Sequence, residues 1–267
     1  MPYVETNGIR MYYEEQGRGD PLLLIMGITA RGAVWEKHSA FWRTNFRCIM
    51  ADNRGVGLTD KPTDPYSSAS MADDYDGLLL ALGIGQARVV GCSMGSIIAQ
   101  QLALRHPGRV RSMVLMCPWA RCDRYARDVF QHLKDCKARL RPEEFATYVQ
   151  LLIFAKASWD DNGLYQEMLE ARRQAEADPL PQPLHGLEAQ AAACMDHNTL
   201  GALAQIRCPC LVVGGAQDIF TPVWMAKEIA ARIPGCEIHL YANSGHAFHW
   251  ENIEDFNPRV RDWLLKH

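Results

Sequence analysis

What this chain of 267 residues lacks narrows its reading before any motif is considered. No apolar stretch approaches the ~20 residues that a membrane-spanning helix needs, so no membrane partner is expected. No basic block is present, and the formal net charge is -3 with both signs interspersed. That leaves out the electrostatic footprint of a nucleic-acid binder. The first fifteen residues have no charged start followed by an apolar run, so no secretory signal is expected. The 9 cysteines are odd in number and scattered. Without a secretory signal they read as free thiols rather than a disulfide framework, and the expected compartment is the cytoplasm. Cys208-Pro209-Cys210 lacks the second Cys-x-x-Cys pair or the spaced histidines of a zinc site. Cys210 opens an apolar run, so these two read as small buried hydrophobes. Internal repeats and low-complexity tracts are absent as well.

What is present is a 48% hydrophobic chain of a length that suits one domain with an elaboration. Residues 3–6 and 9–15 are short runs joined by Asn7-Gly8, a strong hairpin signal. The run PLLLIM at 21–26 has no polar break, as expected of a strand buried on both faces. Further strands are expected at 46–52, 87–92, 110–117, 208–215 and 236–242. Helices are expected at 33–43, 71–82, 94–105, 223–232 and 254–266, the last carrying Phe256, Val260, Trp263 and Leu264 on one apolar face. Alternation of this kind implies a three-layer α/β sandwich. Residues 120–200 break the rhythm. Helical stretches at 123–139, 142–157, 161–176 and 186–197 are punctuated by Pro142 and the prolines of 179–183, with no convincing strand. The expected organisation is a core of residues 1–119 and 201–267, with a helical cap of residues 120–200 inserted in it.

At 89–100 the chain reads VVGCSMGSIIAQ. Gly91-Cys92-Ser93-Met94-Gly95 follows the pattern G-x-S-x-G between a strand and a helix. A reversal this tight strains the backbone of its central residue, and side chains two positions away on either side would strike the neighbouring strand and helix. The Ser93 hydroxyl is then projected from the carboxyl end of the sheet. The Met94 N–H, at the start of the following helix, is ready to receive an oxyanion. The alternative is a glycine-rich turn with an incidental serine.

A serine needs a base at neutral pH. A histidine with a pKa near ~6.5 suits that task, and a carboxylate then holds its tautomer. In this arrangement the chain order is serine, acid, histidine. The stretch LVVGGAQDIFTP places Asp218 beyond one strand and LYANSGHAFHWE places His246 beyond the next, on the sheet edge that Ser93 occupies. His249 competes as the base, although Ser244-Gly245 supplies the turn that presents His246. Asp218 could instead serve a turn or a helix cap, but MCPWA after the 110–117 strand holds no acid to replace it. The loop MGITARGAVW offers the second oxyanion donor, the backbone N–H of Ile28. Trp119, Phe154, Trp159, Phe220, Trp224 and Phe248 are candidates for an apolar pocket, and each is equally explained as core. Arg121, Arg124 and Arg127 could bind a substrate carboxylate or simply form a solvated helix face.

These motifs, together with ADNRGVGLTDKP after the 46–52 strand, resemble the α/β-hydrolase superfamily along the whole chain. Within it the chain is similar to the capped group of 3-oxoadipate enol-lactonases, small carboxylesterases and carbon–carbon bond hydrolases. One departure is Met26-Gly27, where most relatives have His-Gly. The resemblance implies a serine hydrolase rather than a dehalogenase or epoxide hydrolase, which carry aspartate at the position of Ser93. It implies no metal or organic cofactor. The expected substrate is a small-molecule ester or lactone, cleaved through Ser93, His246 and Asp218. Rival readings are a carbon–carbon bond hydrolase and a non-catalytic receptor, and a homodimer is compatible with the sequence.

Overall fold

Residues 2–267 are described by a computed structural model. Eight strands form one sheet in the order β1-β2-β4-β3-β5-β6-β7-β8. They are β1 (Tyr3–Thr6), β2 (Ile9–Gln16), β3 (Asp20–Ile25), β4 (Phe46–Ala51), β5 (Ala87–Cys92), β6 (Val110–Met116), β7 (Cys210–Gly215) and β8 (Glu237–Tyr241). The β1–β2 and β2–β4 pairs are antiparallel and every other pair is parallel. Asn7 and Gly8 both have positive φ, 46° and 77°, the geometry that lets a two-residue hairpin match the twist of its strands.

Period-two alternation sorts the buried strand residues into two cores. Leu23, Ile25, Val89, Met113, Leu115 and Val212 face one side. There they meet α2 (Ser68–Ala81), α3 (Met94–Arg105) and α9 (Val223–Ala230). Leu22, Leu24, Met50, Val90, Val114, Met116 and Val213 face the other, against α1 (Glu36–Trp42) and α11 (Ile253–Lys266). This is the expected three-layer α/β architecture. Helix α2 begins three residues before the expected start because Ser67 and Ser70 cap it reciprocally: the Ser67 hydroxyl accepts the Ser70 N–H, and the Ser67 N–H donates to the Ser70 hydroxyl, both at 3.0 Å.

Between β6 and β7 lie five helices: α4 (Arg124–Arg139), α5 (Pro142–Ile153), α6 (Lys156–Asp160), α7 (Asn162–Glu176) and α8 (Leu184–Asp196). The expected single helix over 142–157 is broken at Phe154-Ala155. There Glu251 (from the short α10, Phe248–Glu251) accepts the Ala155 N–H at 2.7 Å and so competes with helix continuation. An isolated bridge between Arg121 and Asn198 ties the two ends of this segment together. The parallel strands β3, β5, β7 and β8 all end on one edge, from which the loops bearing residues 26–30, 93, 218 and 246 emerge.

Candidate active site

Ser93 joins β5 to α3 with φ 54° and ψ -119°, a conformation that costs a non-glycine residue about 1–3 kcal/mol. Its flanking glycines permit the turn. A methyl on Gly91 would strike the Gly95 carbonyl, and one on Gly95 would strike the Ile25 carbonyl. The Ser93 N–H remains in the sheet, donating to the Met116 carbonyl at 2.9 Å, while the Ser93 carbonyl accepts the Ser96 N–H at 2.8 Å and its hydroxyl at 2.6 Å. Backbone on both sides is therefore tied down, and the side chain alone is free.

Asp218 follows β7. Its Oδ1 accepts the N–H groups of Phe220 and Thr221 at 2.8 and 2.9 Å. Its Oδ2 lies 3.0 Å from the Thr221 hydroxyl and 2.7 Å from His246 Nδ1. A carboxylate accepts only, so the Nδ1 of a neutral His246 carries the proton and its Nε2 presents a lone pair. Burial pulls the pKa of His246 down, but the charge of Asp218 and its hydrogen bond outweigh this and hold it above the ordinary 6.5. His246 Nε2 and Ser93 Oγ are both buried, both without a hydrogen-bond partner among the described residues, and both residues line one cavity of about 170 Å³.

The loop after β3 passes directly over Ser93: a methyl on Gly27 would lie 3.1 Å from Ser93 Cβ. This loop is held at two points. The Met26 carbonyl accepts Asn53 Nδ2 at 2.9 Å, and Tyr75 in turn donates to Asn53 Oδ1 at 2.9 Å. Thr29, strained at φ 69°, donates its N–H to Gln190 Oε1 at 3.1 Å. Gln190, on α8, is wholly buried and donates to the Arg54 carbonyl at 2.8 Å. Ile28 lines the cavity with Ser93. Met94 is the first residue of α3, so its N–H has no acceptor within the helix.

The alpha/beta hydrolase fold family matches residues 20–253. The chain belongs to this family. It is 32% identical over 94% of its length, and 96% of the relative's, to a Mycobacterium tuberculosis protein provisionally named non-heme bromoperoxidase BpoC. The crystal structure of that protein from strain H37Rv superposes with a TM-score of 0.86, with 96% of each chain covered at 29% identity. A protein of Azorhizobium caulinodans provisionally named carbamate hydrolase RutD is 29% identical over 97% of each chain. The enol-lactonase of Burkholderia xenovorans shares the fold, with a TM-score of 0.88 at 22% identity over 99% of this chain and 100% of its own.

Within this hydrolase fold the candidate residues separate. Phe220 lines the cavity beside Ser93 and packs on His246, ring centroids 5.0 Å apart. Phe154 lines a second, larger cavity and stacks on Trp250. Trp119 and Phe248 line neither cavity, which corrects their reading as pocket residues. Trp119 is buried against Phe130 and donates its indole N–H to the Cys194 carbonyl. Phe248 fills the core between Tyr241 and Phe256. Trp159 and Trp224 are also outside both cavities, and Trp224 is exposed. Arg121, Arg124 and Arg127 are exposed and away from the cavities, Arg127 reaching Asp196 and the Met195 carbonyl. His249 is committed elsewhere. Asn257 Oδ1 accepts a hydrogen bond from the His38 Nδ1–H at 2.6 Å, so His38 Nε2 accepts from His249 Nδ1 at 2.9 Å, and His249 Nε2 is left facing the Cys92 thiol at 3.9 Å. Burial pushes His38 down to about 4 and His249 further below its ordinary value.

Cys117 brings its sulfur within 4.8 Å of ligand atoms of Asp218 and His246, the one such three-donor group among the described residues. It is a poor metal set, because the Asp218–His246 hydrogen bond already uses both groups and burial raises the Cys117 thiol well above its ordinary range. Gln190, Asn53, Thr221 and Trp250 were not singled out from the sequence. Asn53 and Trp250 lie within the quoted motif stretches, but nothing local marks Gln190, which acts 161 positions away from Thr29.

Proposed function

We propose that the protein is a serine hydrolase that cleaves a carboxylic ester or lactone of a small molecule through an acyl-enzyme. One observation carries this reading: His246, held by Asp218 at 2.7 Å, shares a buried cavity with Ser93 while its Nε2 and the serine hydroxyl both lack partners. In the reaction, His246 Nε2 takes the Ser93 proton as Oγ bonds to the carbonyl carbon. The N–H groups of Ile28 and Met94 receive the oxyanion, a contribution of about 3 kcal/mol for each donor. Collapse breaks the acyl–oxygen bond, and His246 returns the proton to the leaving alcohol. Water then repeats the sequence on the acyl-enzyme, with His246 again as base.

The relatives' names support hydrolysis of a carbonyl bonded to a heteroatom, since a carbamate is open to the same attack. Among the described residues no lysine or arginine lines the cavity at Ser93, which speaks against a substrate with a carboxylate beside its reacting carbonyl, and against a free lactone acid. The helical segment 120–200 acts as a cap over the site, since residues of α4 and α5 (Leu133, Val149, Ile153) close the cavity opposite the catalytic loops. Among the described residues no helix is long and apolar enough to cross a membrane. The nine unpaired cysteines favour a cytoplasmic site of action. Ser93→Ala is expected to remove p-nitrophenyl acetate hydrolysis and fluorophosphonate labelling while leaving the thermal transition in place. Wild-type turnover in that variant would refute the assignment.

A further inference from the structure

The cavity at Ser93 has a larger neighbour of about 530 Å³, and the two share Thr29, Val34, Val149, Ile153 and Trp250 as a common wall. That volume is in the range that encloses a drug-sized ligand. Its interior is built from Phe145, Ala146, Phe154, Met168 and Ala171. Most of the charged groups around it are engaged, Glu36 by accepting a hydrogen bond from Gln16 Nε2 at 2.6 Å. Lys37 pairs with Glu167 at 2.7 Å, Arg31 pairs with Asp178, and the Lys137 ammonium lies over the Phe145 ring at 5.0 Å. An occupant meets mainly methyl groups and rings.

One polar atom in this wall is unspent. The orientation of Gln190 is set by two backbone groups: its oxygen must face the Thr29 N–H and its nitrogen the Arg54 carbonyl. Gln182 must then turn its nitrogen to Gln190 Oε1, at 3.0 Å, and to the Gly55 carbonyl, at 3.2 Å. The Gln182 oxygen is left buried with no partner, in a residue that lines the large cavity and is only 9% exposed. Buried acceptors are nearly always satisfied, and a donor carried by a ligand would satisfy this one.

We propose that the large cavity binds an uncharged, mainly apolar arm of the ester, and that Gln182 Oε1 accepts a hydrogen bond from one amide N–H or hydroxyl on that arm. This rests on the serine-hydrolase reading above and names its substrate class. The p-nitrophenyl esters from acetate to decanoate are expected to show kcat/KM rising about fourfold for each of the first few added methylenes, the increment that burying a methylene supplies. Ala171→Trp fills the cavity and is expected to collapse the decanoate-to-acetate ratio. In a parallel series of N-octanoyl amino esters with the amide one to four carbons from the ester, one position is expected to exceed its N-methyl counterpart about fivefold, the worth of one hydrogen bond. Gln182→Leu is expected to erase that preference. A flat chain-length series, or an unchanged ratio in a folded Ala171→Trp, overturns the apolar arm. N–H and N-methyl esters of equal reactivity at every position overturn the role of Gln182, leaving that acceptor to water. If wild type hydrolyses no ester, the hydrolase reading fails by itself. Calorimetric binding of decanol to wild type but not to Ala171→Trp would still support the cavity, and its binding to neither would end the proposal.

Discussion

At the scale of residues, the proposed chemistry turns on one imidazole whose environment pulls it two ways. Burial favours neutral His246, while Asp218 favours its cation, and the second effect prevails. The base is active only when neutral, so kcat/KM is expected to fall as pH drops, with its midpoint above the ordinary 6.5. The stability linkage runs the opposite way. A raised folded-state pKa gives an increment that is fully present below 6.5 and is lost as pH rises through the folded value. Activity and this part of stability therefore move in opposite directions over the same window. The buried His38, His249 and His197 are all pushed downward and do not titrate there. Asp218→Asn is expected to shift the acid limb downward, because burial then loses its main counterweight. A pH profile of kcat/KM with its limb below 6.5, or with none, would remove His246 from the role. The proposed triad of Ser93, Asp218 and His246 is read in the sequence from turns and chain order, and the structure brings Asp218 and His246 into contact beside Ser93. Thr221 holds Asp218 from only three positions away, but its contact with the Cys117 carbonyl, 104 positions away, was not legible.

At the scale of elements, the strand-to-helix turn is the most constrained piece of the fold. Helix α3 lies so close to β3 and β5 that Gly91 and Gly95 have no room for a methyl group. The atoms they would strike are backbone carbonyls in the sheet and helix, which cannot rotate away. Gly95→Ala is expected to cost about 1–3 kcal/mol as an overpacked site, read from denaturant unfolding. Gly108, in the 3-10 turn before β6, has open space where a methyl group would sit, with no atom within 4 Å. Gly108→Ala is expected to be neutral or slightly stabilising, and equal costs at the two sites would refute the close-packing account. Strand positions were readable because buried parallel strands are short uninterrupted apolar runs. Helix ends were less so: the α2 start depends on a Ser67–Ser70 exchange, and the α5 stop on Glu251 arriving from α10.

At the scale of the whole molecule, the inserted helices do more than cover the sheet. Through Gln190 they reach back to hold Thr29, one residue from the proposed oxyanion donor Ile28. The loop opens with Met26, and its anchors here are Asn53 from the sheet side and Gln190 from the insertion. Gln190→Leu is expected to lower kcat for the acetate ester roughly tenfold with little change in KM, a fraction of what losing an oxyanion donor costs. Affinity for a trifluoromethyl ketone, which mimics the tetrahedral intermediate, should fall in parallel with kcat/KM. Loss of active protein with unchanged ketone affinity per folded site would reduce Gln190 to a packing role.

The sequence by itself determined what short-range physics can encode. Uninterrupted apolar runs marked the buried strands, Asn7-Gly8 the hairpin and the two glycines around Ser93 the sharp turn, since each depends on a few neighbouring residues. It also placed Asp218 and His246 in loops after successive strands, from which their meeting follows once those strands are adjacent and parallel. Only the tertiary structure decided the order β1-β2-β4-β3-β5-β6-β7-β8, the assignment of Trp119 and Phe248 to core and Phe154 and Phe220 to cavities, and the reach of Gln190 to Thr29. An aromatic or amide side chain has the same local signature in a core, a pocket or a bridge. What distinguishes them is the partner that folding brings from another element of the chain.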